Sequence, residues 1–488
     1  MRFELISAAA VALIAAGGMA LTAVAQDGPV LTKQYDDGSF YEGTFLNGRQ
    51  HGKGSYRLPN GYSYEGDWIE GAMIGQGRAR YPNGSLYEGA FLNGKPQGKG
   101  KITFANGGWY EGDWLDGKMT GQGIAHYADG SSYTGAFVDG QHQGQGLQEG
   151  PEGYRYDGLW ENGKKAGQGR IAYADGTVYE GDLAAGERDG QGKLTTPAGL
   201  TYDGQWRAGQ IEGQGVLLQA NGDRYEGAFV KGQRQGKGRI TYATGDSYDG
   251  EFLADKRHGQ GIFRGKNGLV LEGQWQQGQL TGEGRISYPD GSVYEGLVQA
   301  DKPQGAGRIT YKDGSGYEGN WKDGVIDGVG KATYLSGAVY TGTFVASLPE
   351  GKGSLTQPDG FRYDGDWVKG QRQGQGQATF PDGTTYAGGF TNGKRDGLGV
   401  ITMADGFTYD GTWKLGDIEG SGKATYPNGD RYEGEFSKGQ RHGAGKLTYK
   451  TGQISEGIWD KGILKGPLPA AETEAPETAP ADQAAPKP

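Results

Sequence analysis

Glycine pairs of the form Gly-x-Gly recur along this sequence, for example at Gly75 and Gly77. A glycine-rich loop is one way in which proteins hold phosphate, but such a loop leads into a helix whose N-terminal N–H groups contact the anion. The residues that follow Gly77 read "RARY" and alternate in polarity, as a strand does. We therefore predict a structural role for the glycine pairs and expect no bound cofactor.

Other side chains capable of chemistry do not form a recognisable site either. Acidic residues recur so regularly that no pair of them stands out as an acid and a base. The chain has five histidines, scattered without the spacing of a metal site: His51, His126, His142, His258 and His442. We expect no catalytic residue and no metal ligand, and predict that the protein is not an enzyme.

The dominant feature is a repeat of 23 residues. Counting in steps of 23 from Tyr41, here called repeat position 1, gives nineteen starts, the last at Ser455, with no insertion or deletion. Tyr stands at seventeen of these starts, and Gly stands at position 3 in all nineteen. Position 5 is Phe or Trp in seventeen repeats. The repeat accounts for a composition with 99 glycines and 34% hydrophobic residues, which is too little apolar material for a conventional core.

Each repeat is predicted to form a hairpin of two short strands. Asn-Gly and Asp-Gly pairs, such as Asn83-Gly84, predict two-residue type I′ turns because both residue types tolerate positive φ. Alternation along "YEGDW" places Tyr64, Gly66 and Trp68 on one face and the acidic side chains on the other. The aromatic face is predicted to include Tyr64, Trp68, Tyr81, Tyr110, Trp114, Trp160, Trp206, Trp275, Trp321, Trp367 and Trp413.

The opposite face is predicted to carry cross-strand charge pairs, such as Glu111 with Lys101 and Glu318 with Arg308. Because a single hairpin is marginally stable, about 19 hairpins must stack, and we predict an all-β, elongated, single-layer antiparallel sheet. Aromatic rings lying across bare glycine backbone would replace the missing core.

Composition divides the chain into four segments. Residues 1–25 read as a signal peptide, with Arg2, an apolar run from Leu5 to Val24 and cleavage expected after Ala25. Residues 26–40 form a partial repeat, residues 41–466 the array, and residues 467–488 a disordered tail rich in Pro, Ala and acid. Export to the periplasm or cell envelope is expected, and an uncleaved N-terminal membrane anchor is the alternative. A net charge of −10 argues against nucleic acid as a partner.

The repeat "Tyr-Glu-Gly-x-Trp/Phe", followed by Gly-x-Gly and Asp/Asn-Gly, resembles the MORN (membrane occupation and recognition nexus) family over residues 41 to about 466. The resemblance implies arrays of β-hairpins that serve as scaffolds and dimerisation modules. Some members carry kinase or methyltransferase domains beside the array. Nothing in this sequence matches such a domain, so those activities are not implied here.

Position 5 alternates between Trp and a smaller side chain, which gives a longer period of 46 residues with a phase shift between Phe229 and Phe252. Two interpretations remain open: paired packing of large and small rings, or an edge that presents basic loops periodically. The loop residues proposed to contact a partner are Arg49, His51, Lys95, Arg188, Lys231, Arg234, Lys237, Lys256, Arg257, Arg395, Lys438, Arg441 and His442.

These observations predict an exported, noncatalytic scaffold that binds an unidentified protein at the cell envelope and self-associates as a homo-oligomer. One alternative is binding to an anionic membrane surface through the basic loops. A second alternative is glycan binding by stacking on the aromatic face.

Overall fold

The computed structural model describes residues 28–469. Backbone contacts divide the chain into two units, residues 1–233 and 234–488, and each is described by itself. The predicted signal peptide, and all of the predicted tail beyond residue 469, lie outside the described residues.

The first unit contains a single 3-10 helix among its described residues, at Pro151–Gly153, and otherwise consists of antiparallel strands that each pair with their neighbours in the chain. Its strands are β1 Leu31–Gln34, β2 Phe40–Leu46, β3 Arg49–Arg57, β4 Ser63–Ile69, β5 Ala72–Arg80, β6 Leu86–Leu92, β7 Lys95–Thr103, β8 Trp109–Leu115, β9 Lys118–His126, β10 Ser132–Val138, β11 Gln141–Glu149, β12 Arg155–Glu161, β13 Lys164–Ala172, β14 Val178–Ala184, β15 Glu187–Thr195, β16 Thr201–Arg207, β17 Gln210–Leu218 and β18 Arg224–Val230.

The second unit continues the same pattern of alternating seven-residue and nine-residue strands. Its strands are β19 Gln233–Thr241, which starts one residue before the boundary, β20 Ser247–Leu253, β21 Lys256–Arg264, β22 Val270–Gln276, β23 Gln279–Ser287, β24 Val293–Gln299, β25 Lys302–Thr310, β26 Gly316–Lys322, β27 Val325–Thr333, β28 Val339–Val345, β29 Leu348–Thr356, β30 Arg362–Val368, β31 Gln371–Thr379, β32 Thr385–Thr391, β33 Lys394–Thr402, β34 Thr408–Lys414, β35 Asp417–Thr425, β36 Arg431–Ser437, β37 Gln440–Thr448, β38 Ile454–Asp460 and β39 Ile463–Gly466. The predicted all-β fold of repeated antiparallel hairpins is confirmed.

The predicted position of the type I′ turns was wrong. Between β5 and β6 the carbonyl of Tyr81 accepts a hydrogen bond from the Gly84 N–H at 2.9 Å, and only Gly84 has positive φ, at 84°. This is a type I turn followed by a left-handed glycine. The side chain of Asn83 is used instead as an acceptor for the Ser85 N–H, at 3.0 Å. Pro82 fits the second position of a type I turn because its φ is fixed near −65°.

The type I′ turns lie at the other end of each hairpin, at repeat positions 7 and 8. Glu70 and Gly71 join β4 to β5 with φ of 50° and 89°. Because this turn has only two residues, the segments that were predicted to form loops after position 5 belong mainly to the second strand. Met73, for example, lies in β5 opposite Trp68.

The tyrosine at position 1 lies flat against the glycines at positions 3 and 14, which face each other across the hairpin. In the repeat that starts at Tyr294, the hydroxyl group donates a hydrogen bond to the Leu297 carbonyl at 2.6 Å. A Cβ added to Gly307 would lie within 2.5 Å of ring carbons Cε2 and Cζ of Tyr294. The position-1 tyrosines are buried in consequence, from 0% exposed at Tyr41 to 3% at Tyr317. The glycines thus make room for the aromatic face.

We predict that Gly307→Ala destabilises the protein by about 1–3 kcal/mol, because the methyl group overlaps the Tyr294 ring. The matched control is Gly284→Ala in the preceding repeat, where Leu271 replaces Tyr and the nearest atom to an added Cβ is 3.1 Å away. Denaturant unfolding of both variants measures the difference. Equal losses of stability would contradict the role assigned to the ring.

Candidate functional site

Within each unit, aromatic rings of adjacent repeats contact one another along the aromatic face. Tyr64 makes edge-to-face contacts with Trp68 in its own repeat, at 5.4 Å between centroids, and with Phe91 in the next repeat, at 4.9 Å. The tryptophans predicted for this face are all buried, as are Tyr64 and Tyr110, whereas Tyr81 is half-buried. Burial raises the pKa of Tyr110 to about 12. The rings therefore contact one another and leave little ring surface for a ligand.

Each tryptophan at position 5 also makes a polar contact with the preceding repeat. The Trp413 Nε1–H donates to the Gly399 carbonyl at 3.0 Å, and the Trp68 Nε1–H donates to the Gly54 carbonyl at 3.1 Å. A phenylalanine at the same position has no such donor. The 46-residue alternation therefore corresponds to position-5 rings that alternately do and do not donate a hydrogen bond to the preceding repeat, which supports the interpretation as paired packing.

The predicted contact residues lie in strands and turns rather than in long loops. Two of them, Lys231 and Lys438, occupy the first position of type I′ turns and are exposed. The others are strand residues: Arg49 and His51 in β3, Lys95 in β7, Arg188 in β15, Arg234 and Lys237 in β19, Lys256 and Arg257 in β21, Arg395 in β33, and Arg441 and His442 in β37.

Four of the arginines point onto the aromatic face instead of outward. The guanidinium carbon of Arg395 lies 4.2 Å from the ring centroid of Trp413, and an Arg395 nitrogen donates to the Gly416 carbonyl at 2.9 Å. Arg188, Arg257 and Arg441 make the same pair of contacts with the next repeat, at ring distances of 4.1, 4.3 and 4.4 Å. These cations cover tryptophan rings and bind turn carbonyls, because stacking over an indole stabilises a partly desolvated guanidinium.

Arg234 is also held by protein groups. Its side chain is 19% exposed and its Nε lies 3.1 Å from a carboxylate oxygen of Asp255, at a turn of the next repeat. The lysines differ: Lys95 lies 3.5 Å from Asp116 with an exposed side chain, and the Lys256 Nζ donates to Gln277 at 2.7 Å. The predicted residues therefore do not form one surface.

Two residues at repeat position 10 were missed by sequence reasoning as exceptions to the pattern. His142 stacks on Tyr133, with 3.6 Å between ring centroids, and its Nε2 lies 2.6 Å from the Tyr127 hydroxyl group. Burial lowers the pKa of His142 from 6.5 to about 4. The Lys165 Nζ lies 2.5 Å from the Tyr154 hydroxyl group, and burial lowers the pKa of Lys165. A tally of residue types at position 10, where Arg, Pro and aliphatic residues dominate, would have found both.

The face opposite the rings is exposed and carries ion pairs. Lys101 and Glu111 are paired at 3.3 Å, as predicted, and Lys99 pairs with Asp113 at 2.7 Å. Arg308 lies opposite Glu318 in the register of β25 and β26. Around Lys101 and Glu111 the glycine backbone forms the floor of a shallow cavity of about 680 Å³.

Charge is interrupted on this face in β32 and β33. Ala387 and Val400 stand at positions that are mostly charged in other repeats, and Leu398 at one that is most often Gln, with Leu398 72% exposed and Val400 43% exposed. They line a second cavity of about 600 Å³, which Asp364 and Asp410 border. Leu398 lies opposite Thr412, and Val400 lies opposite Asp410. Leu398 is thus a strongly exposed apolar exception to the repeat on this face, which could not be recognised from polarity alone.

We predict that Arg395→Ala destabilises the protein by about 1–2 kcal/mol, through loss of the contact with Trp413 and of one hydrogen bond. Lys438→Ala is the matched control, since Lys438 is exposed and alanine occupies the same turn position in other repeats, as at Ala208. Thermal unfolding followed by tryptophan fluorescence measures both variants. An unchanged Arg395→Ala midpoint would mean that this arginine is free to contact a partner.

His142 predicts a pH dependence of stability. Between pH 6.5 and about 4 the unfolded chain takes up a proton at this residue that the folded chain does not, so the free energy of unfolding falls with falling pH. His142→Gln should therefore lose less stability than the wild type between pH 7 and pH 4.5. Thermal melts at both pH values measure this, and an equal loss in His142→Gln and in the wild type would contradict the role assigned to His142.

Within residues 28–469 no group of three or more acidic, histidine or cysteine side chains is arranged to hold a metal ion. A search of the same residues for a helix long and apolar enough to cross a membrane finds none.

Comparison with known proteins identifies the repeat. No curated protein matches the sequence. Among solved structures, the TCP domain of SAS-4 from Drosophila melanogaster is 15% identical and matches 32% of this chain and 85% of its own, with a TM-score of 0.21. The TCP10 domain of CPAP from Danio rerio is 15% identical over 46% of this chain and 97% of its own, with a TM-score of 0.19. Virginiamycin B lyase from Staphylococcus aureus is 12% identical over 62% and 98%, with a TM-score of 0.11. Likeness at this level carries no argument about function.

The family match is of a different kind. The model of the MORN repeat matches eighteen consecutive segments, which begin at residue 41 and end at residue 454 and follow the 23-residue register counted from Tyr41. They cover most of the chain, and each begins at position 1 of a repeat except the segment 272–293, which begins at position 2. The chain therefore belongs to the MORN repeat family.

Proposed function

We propose that this protein is a noncatalytic scaffold that binds a protein partner at the cell envelope. The observation that carries the proposal is the difference in exposure between the two faces of the sheet. One face is filled by the protein's own rings, and the other presents the same exposed polar framework repeatedly, with local changes such as Leu398. Such a surface suits recognition of a macromolecule along many repeats.

A partner that covered the exposed apolar residues of β33 would gain binding free energy by burying their apolar surface. Leu398 and Val400 line a shallow cavity that Lys352, Asp364 and Asp410 also line. Interfaces commonly place an apolar centre inside a polar rim. A partner segment with an apolar side chain among polar residues is complementary to this arrangement.

Location outside the cytoplasm is part of the proposal and rests on the N-terminal sequence. Arg2, the apolar run from Leu5 to Val24 and the sequence Ala23-Val24-Ala25 fit a cleaved signal peptide. An N-terminal sequence starting at Gln26, determined on protein isolated from the envelope fraction, would support export. A protein that keeps Met1 would support the anchored alternative.

The two alternatives receive less support from the side-chain contacts. Glycan stacking needs accessible rings, whereas Trp68 and Trp275 are 3% and 2% exposed. Membrane binding through basic groups needs free cations, whereas Arg188, Arg257, Arg395 and Arg441 contact tryptophan rings and turn carbonyls. The exposed Lys231 and Lys438 remain available to an anionic surface.

Crosslinking mass spectrometry in intact cell envelopes tests the scaffold proposal. We expect crosslinks between the array and one or a few envelope proteins, and expect Leu398→Glu to weaken capture of the same proteins in pull-downs. Val329→Glu is the matched control, because Val329 is also exposed, at 62%, and occupies the same repeat position as Leu398. If no envelope protein is crosslinked or captured, the proposal fails.

Flotation with anionic liposomes at low and high salt tests the membrane alternative. Binding that salt abolishes, and that Lys231→Ala with Lys438→Ala weakens, would favour the membrane alternative over the scaffold.

A further inference from the structure

The two ends of the array carry half-strands that complement each other. The second strand of each complete repeat has nine residues, at positions 9–17, whereas β1 and β39 have four each. Leu31 of β1 lies opposite Gly43, which is a position-3 glycine. Leu31 therefore takes the place that position 14 has in complete repeats, and β1 covers positions 14–17. Ile463 and Leu464 of β39 lie opposite Asp460 and Trp459, in the places of positions 9 and 10, so β39 covers positions 9–12.

Each half-strand leaves part of its neighbour open. In complete repeats positions 12 and 13 pair with positions 5 and 4 of the next repeat, as Gly52 does with Trp68. Among the described residues nothing pairs in this way with Phe45 or Thr44 of β2. At the other end, β39 pairs with β38 only from Ile458 onward, so residues 454–457, which pair with β37 on one side, have no strand on the other side in the described chain. The half-strand β39 would cover the open segment of β2, and the half-strand β1 would cover the open segment of β38.

The hydrogen bonds between repeats also leave one backbone donor at the first end of the described array and one backbone acceptor at the last end without a partner repeat. The backbone N–H at position 8 donates to the position-10 carbonyl of the preceding repeat, from Gly71 to Gln50 at 2.9 Å through to Gly462 and Arg441 at 3.0 Å. Within residues 28–469 the Gly48 N–H has no preceding repeat to bind, and the Leu464 carbonyl has no following repeat.

Side chains at the two ends fit by size. Position 14 is Gly in all eighteen complete repeats because the position-1 ring lies over it, but in β1 this position is Leu31. The last repeat has Ser455 at position 1 and so lacks the ring. With Leu31 opposite Gly457, the leucine side chain would pack where the ring is missing, beside Leu464, whose Cδ1 lies 2.9 Å from the place of a Cβ added to Gly457.

Apolar side chains at both ends of the array are less buried than their counterparts in interior repeats. Phe45 is the one position-5 side chain of the described array that is not buried, and Leu464 and Leu31 are 39% and 51% exposed. In the interior, the position-10 side chain covers the position-5 ring of the next repeat, as Arg441 covers Trp459 at 4.4 Å. Leu464 would cover Phe45 in the same manner.

We propose that the protein associates head to tail, with β39 of one copy and β1 of the next forming one composite second strand between β38 and β2. Pro29 precedes β1 and Pro467 follows β39, and proline, which lacks an N–H group, ends each half-strand where the other takes over. The interface is heterologous, because two different ends of the chain meet. The proposal does not depend on the envelope partner or on export.

Sedimentation velocity on the mature protein tests this arrangement by complementation. We expect the wild-type average mass to rise with concentration through multiples of the protomer mass. Ile463→Lys with Leu464→Lys blocks one end, and Val30→Lys with Leu31→Lys blocks the other, since lysine on an edge strand opposes pairing. Each variant alone should be monomeric, and an equimolar mixture should form dimers that grow no further.

The control for the added charge is Leu415→Lys, at an exposed turn away from both ends, which should assemble as the wild type does. A wild-type protein that stays monomeric at high micromolar concentration overturns the proposal, and so does a mixture of the two variants that stays monomeric. Pull-down of an envelope protein by a monomeric chain would overturn this inference alone and leave the scaffold function standing.

Disulfide trapping checks the register without blocking assembly. The chain has no cysteine, and the composite strand would place Thr32 of one copy opposite Glu456 of the other, as Lys446 lies opposite Glu433. Mixed Thr32→Cys and Glu456→Cys proteins should form disulfide-linked heterodimers under mild oxidation, because directly opposed residues bring Cβ atoms within about 5.5 Å. Thr32→Cys mixed with Glu433→Cys is the control, and equal trapping in both mixtures would rule out the proposed register.

Discussion

The close approach of a tyrosine ring to bare glycine backbone is the constraint on which the structure depends. At position 1 the ring covers the glycine at position 14 and its hydroxyl group binds the carbonyl at position 4, as Tyr64 does with Gly77 and Asp67. A side chain at the glycine would have to occupy the ring's place. The contact between this ring and this glycine therefore determines the residue types at positions 1 and 14 and keeps the ring buried. The same contact is made in almost every repeat.

Contacts between repeats build on this hairpin. The position-8 N–H, the tryptophan Nε1–H and the position-10 side chain all reach the adjacent repeat and no further. Trp413 illustrates the combination, because Arg395 covers its ring while its nitrogen binds the Gly399 carbonyl. The alternation of large and small rings is therefore a property of neighbouring pairs, which explains why it can change phase between Phe229 and Phe252 without interrupting the strands.

Much of this fold could be predicted from the sequence, because the period of 23 and the two-residue alternation of strands are both visible in the residue types. Tyr64, Gly66 and Trp68 were assigned to their face for that reason. The turns could not be assigned as well: Asn83 tolerates positive φ but does not require it, and its side chain binds the Ser85 N–H instead. Left-handed residues without any sequence preference for that conformation, such as Leu415, occupy the type I′ turns.

The candidate surface was harder to predict than the fold. Polarity suggested that Arg188 and Arg395 were loop residues free to contact a partner, whereas both stack on a tryptophan that lies 18 residues further along the chain. A single sequence read by polarity does not reveal such a contact. Leu398 was equally hidden, because its exposure depends on which face of β33 it occupies.

Because each repeat contacts only its neighbours, the number of repeats is not fixed by any contact across the array. A chain of this kind can lengthen or shorten by whole repeats through duplication or deletion in its gene, without changing the contacts inside the repeats that remain. Steps of 46 residues keep each tryptophan beside a smaller neighbour, whereas a step of 23 brings two similar rings together, as at Phe229 and Phe252. The spacing of tryptophans along the chain thus reflects whether repeats were added singly or in pairs.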